Sequence, residues 1–386
     1  MQNTAHRVTV LTILVAMLLV PFLVVDAQPL MVDPSDDQVM LADYELIGTV
    51  NFPTGYTFNG TVVGGLSSIT YDESRGVFYA LSDDQGTINP VRYYTLDIDL
   101  ADGQLDPGDI TFLEVTFLRD ESGELFAPTS LDPEGIVLAR PGFLFVSSEG
   151  FALRAPPINP FINRFNLPGM QTKAAPVPSK FLPNATGTQG VRQNLGFESL
   201  NVTPDRQYLY TAAEGALVQD GPAANLGVSS NARILQYVLS QERPASEFVY
   251  IVNPVPNEPV PPTAFRVNGL VELLPLDNVG TMLAMERAFS VGVGNTVHLY
   301  QIQTQGATDV SGDFALPASF TPVQKQFILD VQADLGIVPD NLEGMAFGPP
   351  LPDGRLPLVL VSDNNFDPAA VTQFIVLAVT LEPAGS

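Results

Sequence analysis

The feature that most constrains the fold of this chain is a pattern that occurs five times: an apolar strand, a turn, a second apolar strand and then a carboxylate. The copies read LSSITYDESRGVFYALSDD (66–84), PEGIVLARPGFLFVSSE (133–149), FESLNVTPDRQYLYTAAE (197–214), NGLVELLPLDNVGTMLAMER (268–287) and LEGMAFGPPLPDGRLPLVLVSD (342–363). Their starts lie 64–74 residues apart. A repeat of this period that contains a β-hairpin predicts the blades of a β-propeller.

The rest of the sequence supplies the remaining strands of each blade. Two further strands follow each of the first four hairpins, the weakest being the run at 179–182, and one strand follows the last hairpin. An early strand at 44–52 has no hairpin, so we expect it to complete the last blade and close the ring. The prediction is an all-β propeller of five four-stranded blades, or six if a blade lies within 170–196 or 304–324. Only residues 321–332 approach a helical period.

The N-terminal segment predicts export. Residues 1–27 have a short basic start, an apolar run at 8–25 and a small-residue cleavage site, as in a signal peptide. An uncleaved membrane anchor is the alternative, because 18 apolar residues are just long enough to span a bilayer. Residues 28–40 are interpreted as a flexible leader and 41–386 as one propeller domain. In either case we expect a secreted or periplasmic protein.

Composition excludes several kinds of site and partner. The chain has no cysteine, which excludes disulfides and thiolate metal sites. His298 is the only histidine after the predicted signal, and its strand-like context favours a structural role over a metal site or a catalytic triad. The net charge of −25 predicts no binding to nucleic acid, and no membrane contact beyond the signal segment. We expect a monomer that binds a small-molecule substrate.

Carboxylates recur where the two strands of each hairpin meet. Antiparallel pairing places the start of the first strand beside the end of the second, so these acids converge if the hairpins line the channel. The predicted metal ligands are Asp83, Glu134, Glu149, Glu198, Glu214, Glu286, Glu343 and Asp363. Carboxylates this close together raise one another's pKa unless a cation binds between them, and oxygen ligands favour Ca²⁺, with Mg²⁺ second. Acids that simply face water are the alternative.

Basic and amide side chains near these acids are candidate substrate contacts. Arg192 and Arg287 can hold an anionic group such as a phosphate, and Asn194 can add a neutral polar contact. Simple charge balance is the alternative for the arginines. The predicted catalytic residues are Glu343, Glu286 and Arg287.

Several segments of the chain resemble the phytase-like family described as "esterase-like activity of phytase". They are GLSSITYD (65–72), LSDD (81–84), DPEGIVL (132–138), VSSEG (146–150), NLGFESLNVTPD (194–205), LAMERAFS (283–290), NLEGMAFGP (341–349) and LVSDNNF (360–366). The resemblance implies a secreted β-propeller related to calcium-dependent phosphatases. The residues that match the family pattern are Glu134, Glu149, Glu198, Glu214, Glu286, Arg287, Glu343, Asp363 and Asn364. Ser67 stands where other copies carry an acid, so a fully symmetric metal ring is not implied.

Three functions are compatible with the sequence. The first is a calcium-dependent hydrolase of esters, above all phosphoric monoesters, in which the metal polarises the phosphoryl oxygens. The second is a hydrolase of carboxylic esters or lactones, with the same ion as Lewis acid. The third is a propeller that binds a partner and uses the metal only for stability. Calcium-dependent turnover separates the first two from the third.

Overall fold

The structure is a computed structural model that describes residues 38–385. The predicted signal peptide and most of the predicted leader lie outside the described residues. Within the described residues, no helix is long and apolar enough to cross a membrane.

The described chain is almost entirely β-structure. In chain order the strands are β1 (Val39–Pro53), β2 (Thr57–Phe58), β3 (Thr61–Val62), β4 (Leu66–Asp72), β5 (Val77–Ser82), β6 (Arg92–Ile98), β7 (Ile110–Phe117), β8 (Pro133–Arg140), β9 (Phe143–Ser148), β10 (Phe161–Asn166), β11 (Gln171–Ala175), β12 (Phe197–Val202), β13 (Tyr208–Ala216), β14 (Ser230–Val238), β15 (Arg243–Val252), β16 (Arg266–Pro275), β17 (Thr281–Ser290), β18 (Gly294–Gln303), β19 (Gln324–Asp330), β20 (Leu342–Phe347), β21 (Leu356–Ser362) and β22 (Val371–Pro383). One short α-helix, α1 (Val331–Leu335), and two 3₁₀ turns (Ser179–Phe181 and Val218–Asp220) complete the secondary structure.

Twenty of these strands form the five blades of a β-propeller. The antiparallel sheets have the orders β4-β5-β6-β7, β8-β9-β10-β11, β12-β13-β14-β15, β16-β17-β18-β19 and β20-β21-β22-β1. The fifth sheet contains the N-terminal strand, which pairs with β22 from Val39 opposite Pro383 to Pro53 opposite Val371. The first strand of each blade contacts the first strands of its neighbours, so β4, β8, β12, β16 and β20 surround the central channel.

The apolar core lies between the blades. Each of its five buried clusters joins two adjacent blades, and the cluster between the fifth and first blades contains Phe374 from β22 and Phe78 from β5. Both faces of each sheet are therefore covered, as in any propeller. This packing fixes the ends of the inner strands relative to one another, which positions the candidate site.

Three details differ from the expectations of the sequence. Strand β1 begins at Val39, five residues before the predicted start. The run at 179–182 is wrong as a strand: it contains a 3₁₀ turn, and the fourth strand of the second blade is β11. Strand β11 (QTKAA) is short, polar and mostly exposed, so it has no apolar alternation to reveal it. No sixth blade lies in 304–323, because this segment runs along β15, where the Val310 and Val323 amides donate to the Glu247 and Val249 carbonyls.

Candidate metal and substrate site

The five hairpins present their polar ends at one mouth of the channel, and register shifts define the equivalent positions. In blades one, two, three and five, the strand pairing shifts directly after the first pair, for example after Leu342 opposite Ser362. The residue at this shift is Ser67, Glu134, Glu198 or Glu343. On the second strand of each hairpin, the residue that follows the first pair is Asp83, Glu149, Glu214 or Asp363. Two layers of carboxylates therefore surround the mouth.

The fourth blade follows the same geometry at different sequence positions. Its register shift follows the pair of Leu270 and Glu286, so Val271 takes the first acid position and Arg287 takes the second. Glu286 is thus equivalent to Ser82 and Ser362, each of which lies one residue before the acid of its blade. The blade that lacks carboxylates at the mouth contributes an arginine instead.

Eight acids form what we call the acid ring. They are Asp83, Asp132, Glu134, Glu149, Glu198, Glu214, Glu343 and Asp363. All are buried except Asp83, which is partly exposed. Asp132 was not among the sequence-based candidates. It lies two residues before Glu134 in the segment DPEG, and this two-residue spacing on a strand was the signal that could have identified it.

One side of the acid ring is a compact cluster of three carboxylates. Asp132, Glu134 and Glu149 each place an oxygen within 4.8 Å of the others. Burial raises the pKa of Asp132 to about 6, even though Gln85 donates a hydrogen bond to it at 2.6 Å. Burial and the charge of Glu198 raise the pKa of Glu134, and burial and Asp132 raise the pKa of Glu149. Among the residues that the structure describes, no base forms an ion pair with these three acids, although the charge of Arg154 lowers the pKa of Asp132.

The opposite side is organised by Arg287. Its Nη2 atom lies 2.6 Å from Glu343 Oε1 and 3.6 Å from Glu214 Oε1, so one guanidinium joins the third, fourth and fifth blades. Burial lowers the pKa of Arg287, but Glu343 and Glu214 outweigh it and raise the pKa overall. Burial raises the pKa of Glu214 to about 7 against the opposing effect of Arg287. In the described residues, Arg287 is the one base that forms an ion pair with the acid ring.

Asn341 links the fifth blade to this arrangement. Its Nδ2 atom donates to Glu343 Oε1 at 3.0 Å and to Asp363 Oδ2 at 3.3 Å. Burial and Glu343 raise the pKa of Asp363 to about 8. Burial and Asp363 raise the pKa of Asp83, and Asp83 Oδ1 has no hydrogen-bond partner among the described residues. A bound cation would give this oxygen of Asp83 a partner.

Glycines at the inner strands let the acids approach the next blade. A Cβ atom on Gly269 would lie 2.1 Å from Glu214 Oε1, and a Cβ on Gly196 would lie 2.3 Å from Glu149 Cβ. The Gly196 amide donates to Glu149 Oε2 at 2.9 Å. These positions require glycine for space rather than for a positive φ, since any side chain would occupy the volume of a carboxylate.

The acid ring fits a hard divalent cation. Calcium binds oxygens at about 2.4 Å, so two ligands on opposite sides of one ion are about 5 Å apart. The 4.8 Å limit for Asp132, Glu134 and Glu149 agrees with this. Glu214 Oε1 is buried without a hydrogen-bond partner in the described part of the chain, as is Asp83 Oδ1. The donors are all oxygens, and burial together with the neighbouring acids raises the pKa of Glu134, Glu149 and Glu198.

Three of the predicted site residues lie outside the acid ring. Glu286 faces Tyr250 of the third blade, which donates a hydrogen bond to it at 2.8 Å. It also accepts a hydrogen bond from Asn268 at 3.1 Å and pairs with Lys325, both in its own blade. Its neighbour Arg287 takes the other side of β17, which faces the acids. Arg192 donates to the carbonyls of Ala216 at 3.0 Å and Gly221 at 2.6 Å. Asn194 is exposed and accepts from Gln193 at 2.6 Å.

His298 has the structural surroundings expected of it. Its Nε2 atom lies 3.1 Å from Asp330 Oδ2 and its Nδ1 atom 3.3 Å from the Tyr300 hydroxyl. These contacts lie on β18 and β19, in the outer half of the fourth blade.

Fold and site together define a five-bladed propeller with a buried acid ring at one mouth. A family model described as "Phytase-like: Esterase-like activity of phytase" matches residues 61–366. The chain belongs to this phytase-like family.

A curated relative and two solved structures are also similar. The relative is an "Uncharacterized secreted protein" of Arthroderma benhamiae, 27% identical over 146 residues, which cover 32% of this chain and 27% of the relative. The chain thus matches about a quarter of the length of that relative. A protein of unknown function from Dyadobacter fermentans has a TM-score of 0.39 at 11% identity, covering 89% of this chain and 99% of that one. The WD40 repeats of RRP9 have a TM-score of 0.37 at 9% identity, covering 89% and 100%.

Proposed function

We propose that this protein is a secreted, calcium-dependent hydrolase of esters whose active site is the acid ring. The observation that carries the proposal is the cluster of Asp132, Glu134 and Glu149, whose oxygens lie within 4.8 Å of one another at the mouth of the channel. Buried carboxylates are costly unless a partner compensates their charge. Membership of the phytase-like family supports ester hydrolysis. The apolar run at 8–25 and the secreted relative support export.

The residues divide into two roles. Asp132, Glu134 and Glu149 would hold the ion, with Glu198 as a further carboxylate on the same side. A bound calcium ion supplies Lewis-acid charge that polarises the ester. Arg287 would donate hydrogen bonds to the oxygen that gains negative charge, and Glu343 orients it at 2.6 Å. Arg287 is therefore proposed as catalytic and Glu343 as its positioning residue. Glu286 is not retained, because its carboxylate is used by Tyr250 and Lys325.

Two ester classes fit this chemistry. Phosphoric monoesters are supported by the family description. Carboxylic esters are supported by the scarcity of bases, since Arg192 is engaged by two backbone carbonyls and Arg287 stands alone at the acid ring. A phosphate ester usually needs several positive groups, whereas a carboxylic ester needs only one or two donors at the developing oxyanion.

The test is hydrolysis of p-nitrophenyl phosphate and p-nitrophenyl acetate by the purified protein, with calcium and with excess EDTA. We expect turnover of at least one ester that EDTA abolishes and calcium restores. Glu149→Gln removes a proposed ligand and should weaken calcium binding at least tenfold by calorimetry. Glu258→Gln makes the same charge change on an exposed loop residue and serves as the control.

Two results would overturn the proposal. Turnover that persists in EDTA would remove the metal from the mechanism. Calcium binding that depends on Glu149, without turnover of either ester, would leave the acid ring as the structural site of a binding propeller.

A further inference from the structure

An aromatic side chain follows the arginine of the site along the same strand. Phe289 lies two residues after Arg287 on β17, and the two alternate with buried Glu286, Ala288 and Ser290. Residues two apart on a strand project to the same face, about 7 Å apart along the strand. Phe289 therefore lies on the arginine's side of the blade, one step further out of the channel. Val267 is its direct partner on β16 and is also partly exposed.

The apolar surface continues onto two loops at the same mouth. The ring of Phe265 lies 6.3 Å from that of Phe289, and Phe265 is 64% exposed. Val260 and Val293 are 64% and 50% exposed. The loops are joined by the Val260 amide, which donates to the Val291 carbonyl at 2.7 Å, and by the Val291 amide, which donates to the Phe265 carbonyl at 3.1 Å. We call Val260, Phe265, Val267, Phe289 and Val293 the apolar wall.

Exposed large hydrophobic side chains are concentrated in the apolar wall. Large hydrophobic side chains at least half exposed number six in the described residues: Leu153, Val260, Phe265, Val293, Phe327 and Val338. Three of the six belong to the apolar wall. Scattered exposed hydrophobic residues need no explanation, but a contiguous group beside a polar site indicates a ligand surface.

The charge of the mouth restricts which ligands can bind there. Eight carboxylates face one arginine in an ion pair with them, so one divalent cation leaves the ionised mouth with a formal charge of about −5. A dianionic phosphate approaches against this field, whereas an uncharged ligand does not. An apolar wall beside an anionic mouth therefore favours an uncharged ligand with one apolar end.

We propose that the apolar wall binds the acyl chain of an uncharged carboxylic ester whose carbonyl lies beside Arg287. The inference rests on the ester hydrolysis proposed above and names its substrate class. In the reaction, the oxygen of water bonds to the acyl carbon, the acyl–oxygen bond breaks, and the alcohol leaves with a proton while the carboxylic acid is released. The position of Phe289, about 7 Å beyond Arg287, places the first carbons of the chain against the wall.

The test is a chain-length series with the calcium-loaded protein: the p-nitrophenyl esters of acetate, butyrate and octanoate, with p-nitrophenyl phosphate as the charged comparison. Burying one methylene contributes enough free energy for about a fourfold change in binding. We expect kcat/KM to rise about two- to fourfold for each methylene that reaches the wall. Phe289→Ala and Phe265→Ala should flatten this rise. Phe327→Ala changes a half-exposed phenylalanine on the outer strand β19 and should keep the full rise.

A binding measurement separates this inference from the proposed function. The uncharged fluorescent probe N-phenyl-1-naphthylamine should bind the protein and lose affinity in Phe265→Ala, whose side chain lies in a loop and is 64% exposed. Hydrolysis of all three esters with no dependence on chain length would overturn the inference and leave ester hydrolysis intact. An equal rise of kcat/KM with chain length in Phe289→Ala, Phe265→Ala and the unchanged protein would also overturn the inference. Probe binding without hydrolysis of any ester would overturn the proposed function and, with it, the substrate assignment.

Discussion

Removing calcium should make the protein less stable as the pH rises, because the acid ring then carries uncompensated charge. Burial raises the pKa of Asp132 from 3.8 to about 6 and that of Glu214 from 4.5 to about 7. A group that holds its proton more tightly in the folded state than in the unfolded state favours folding while it is protonated. That contribution is complete at a pH below the ordinary pKa and is lost as the pH rises through the folded-state pKa.

The size of the effect follows from these shifts. One pKa unit corresponds to about 1.4 kcal/mol, so ionising Asp132 and Glu214 costs roughly 3 kcal/mol each in the folded protein. Asp363, whose pKa is raised to about 8, adds to this cost towards alkaline pH. A loss of roughly 6 kcal/mol is a large part of the 5–15 kcal/mol that stabilises a typical domain. Calcium at 100 times its Kd adds about 2.7 kcal/mol of binding free energy, which offsets part of this cost.

The assay is thermal unfolding followed by circular dichroism between about pH 5 and pH 8, in EDTA and in millimolar calcium. We expect Tm in EDTA to fall by roughly eight degrees over this range, and Tm in calcium to fall by less. Asp132→Asn combined with Glu149→Gln should raise Tm in EDTA at about pH 8, because neutral amides replace two uncompensated charges. A Tm in EDTA that stays level or rises with pH would refute the reasoning, since it would mean that these acids are not desolvated in the folded protein.

Two further substitutions test how the mouth is built. Gly269→Ala places a Cβ atom 2.1 Å from Glu214 Oε1 and should weaken calcium binding and lower stability by about 1–3 kcal/mol, whereas Gly215→Ala, whose Cβ would meet its nearest neighbour at 3.5 Å, should change neither by a comparable amount. Glu286→Gln breaks a buried pair with Lys325 and should cost about 3 kcal/mol of stability, yet calcium affinity by calorimetry should stay within about twofold. A large loss of calcium affinity in Glu286→Gln would place this residue among the ligands after all.

The sequence was sufficient for the blades and for most of the acid ring, for a physical reason. A hairpin between two sheets is apolar on both faces, and its register fixes which residues reach the channel mouth. Glu134 with Glu149, Glu198 with Glu214, and Glu343 with Asp363 could therefore be paired from strand ends alone. The propeller follows from the same repeat, and five blades are described.

The place of Glu286 and the strand β11 could not be predicted from the sequence. The spacing of the fourth repeat makes Glu286 appear equivalent to the other acids, but the register shift in this blade follows Leu270 rather than the first residues of the repeat. A one-residue difference in register reverses the face of every side chain, and a β-bulge leaves no mark in composition. Strand β11 is held by pairing with β10 rather than by its own apolar pattern, so only tertiary structure reveals it.

The fourth blade makes one side of the nearly symmetric acid ring chemically different from the rest. In the other four blades, an acid follows the partner residue on the second strand of the hairpin, and a ring of such acids alone would bind cations without orienting a substrate. The fourth blade places Arg287 there and Phe289 one step further out. The cluster of Asp132, Glu134 and Glu149 belongs to the second blade, so the third blade lies between this cluster and the blade of Arg287. A ligand that contacts both must lie across the mouth, with its polar end between them and its apolar end on the wall. If the proposed function holds, the departure of one blade from the repeat is what makes the site selective.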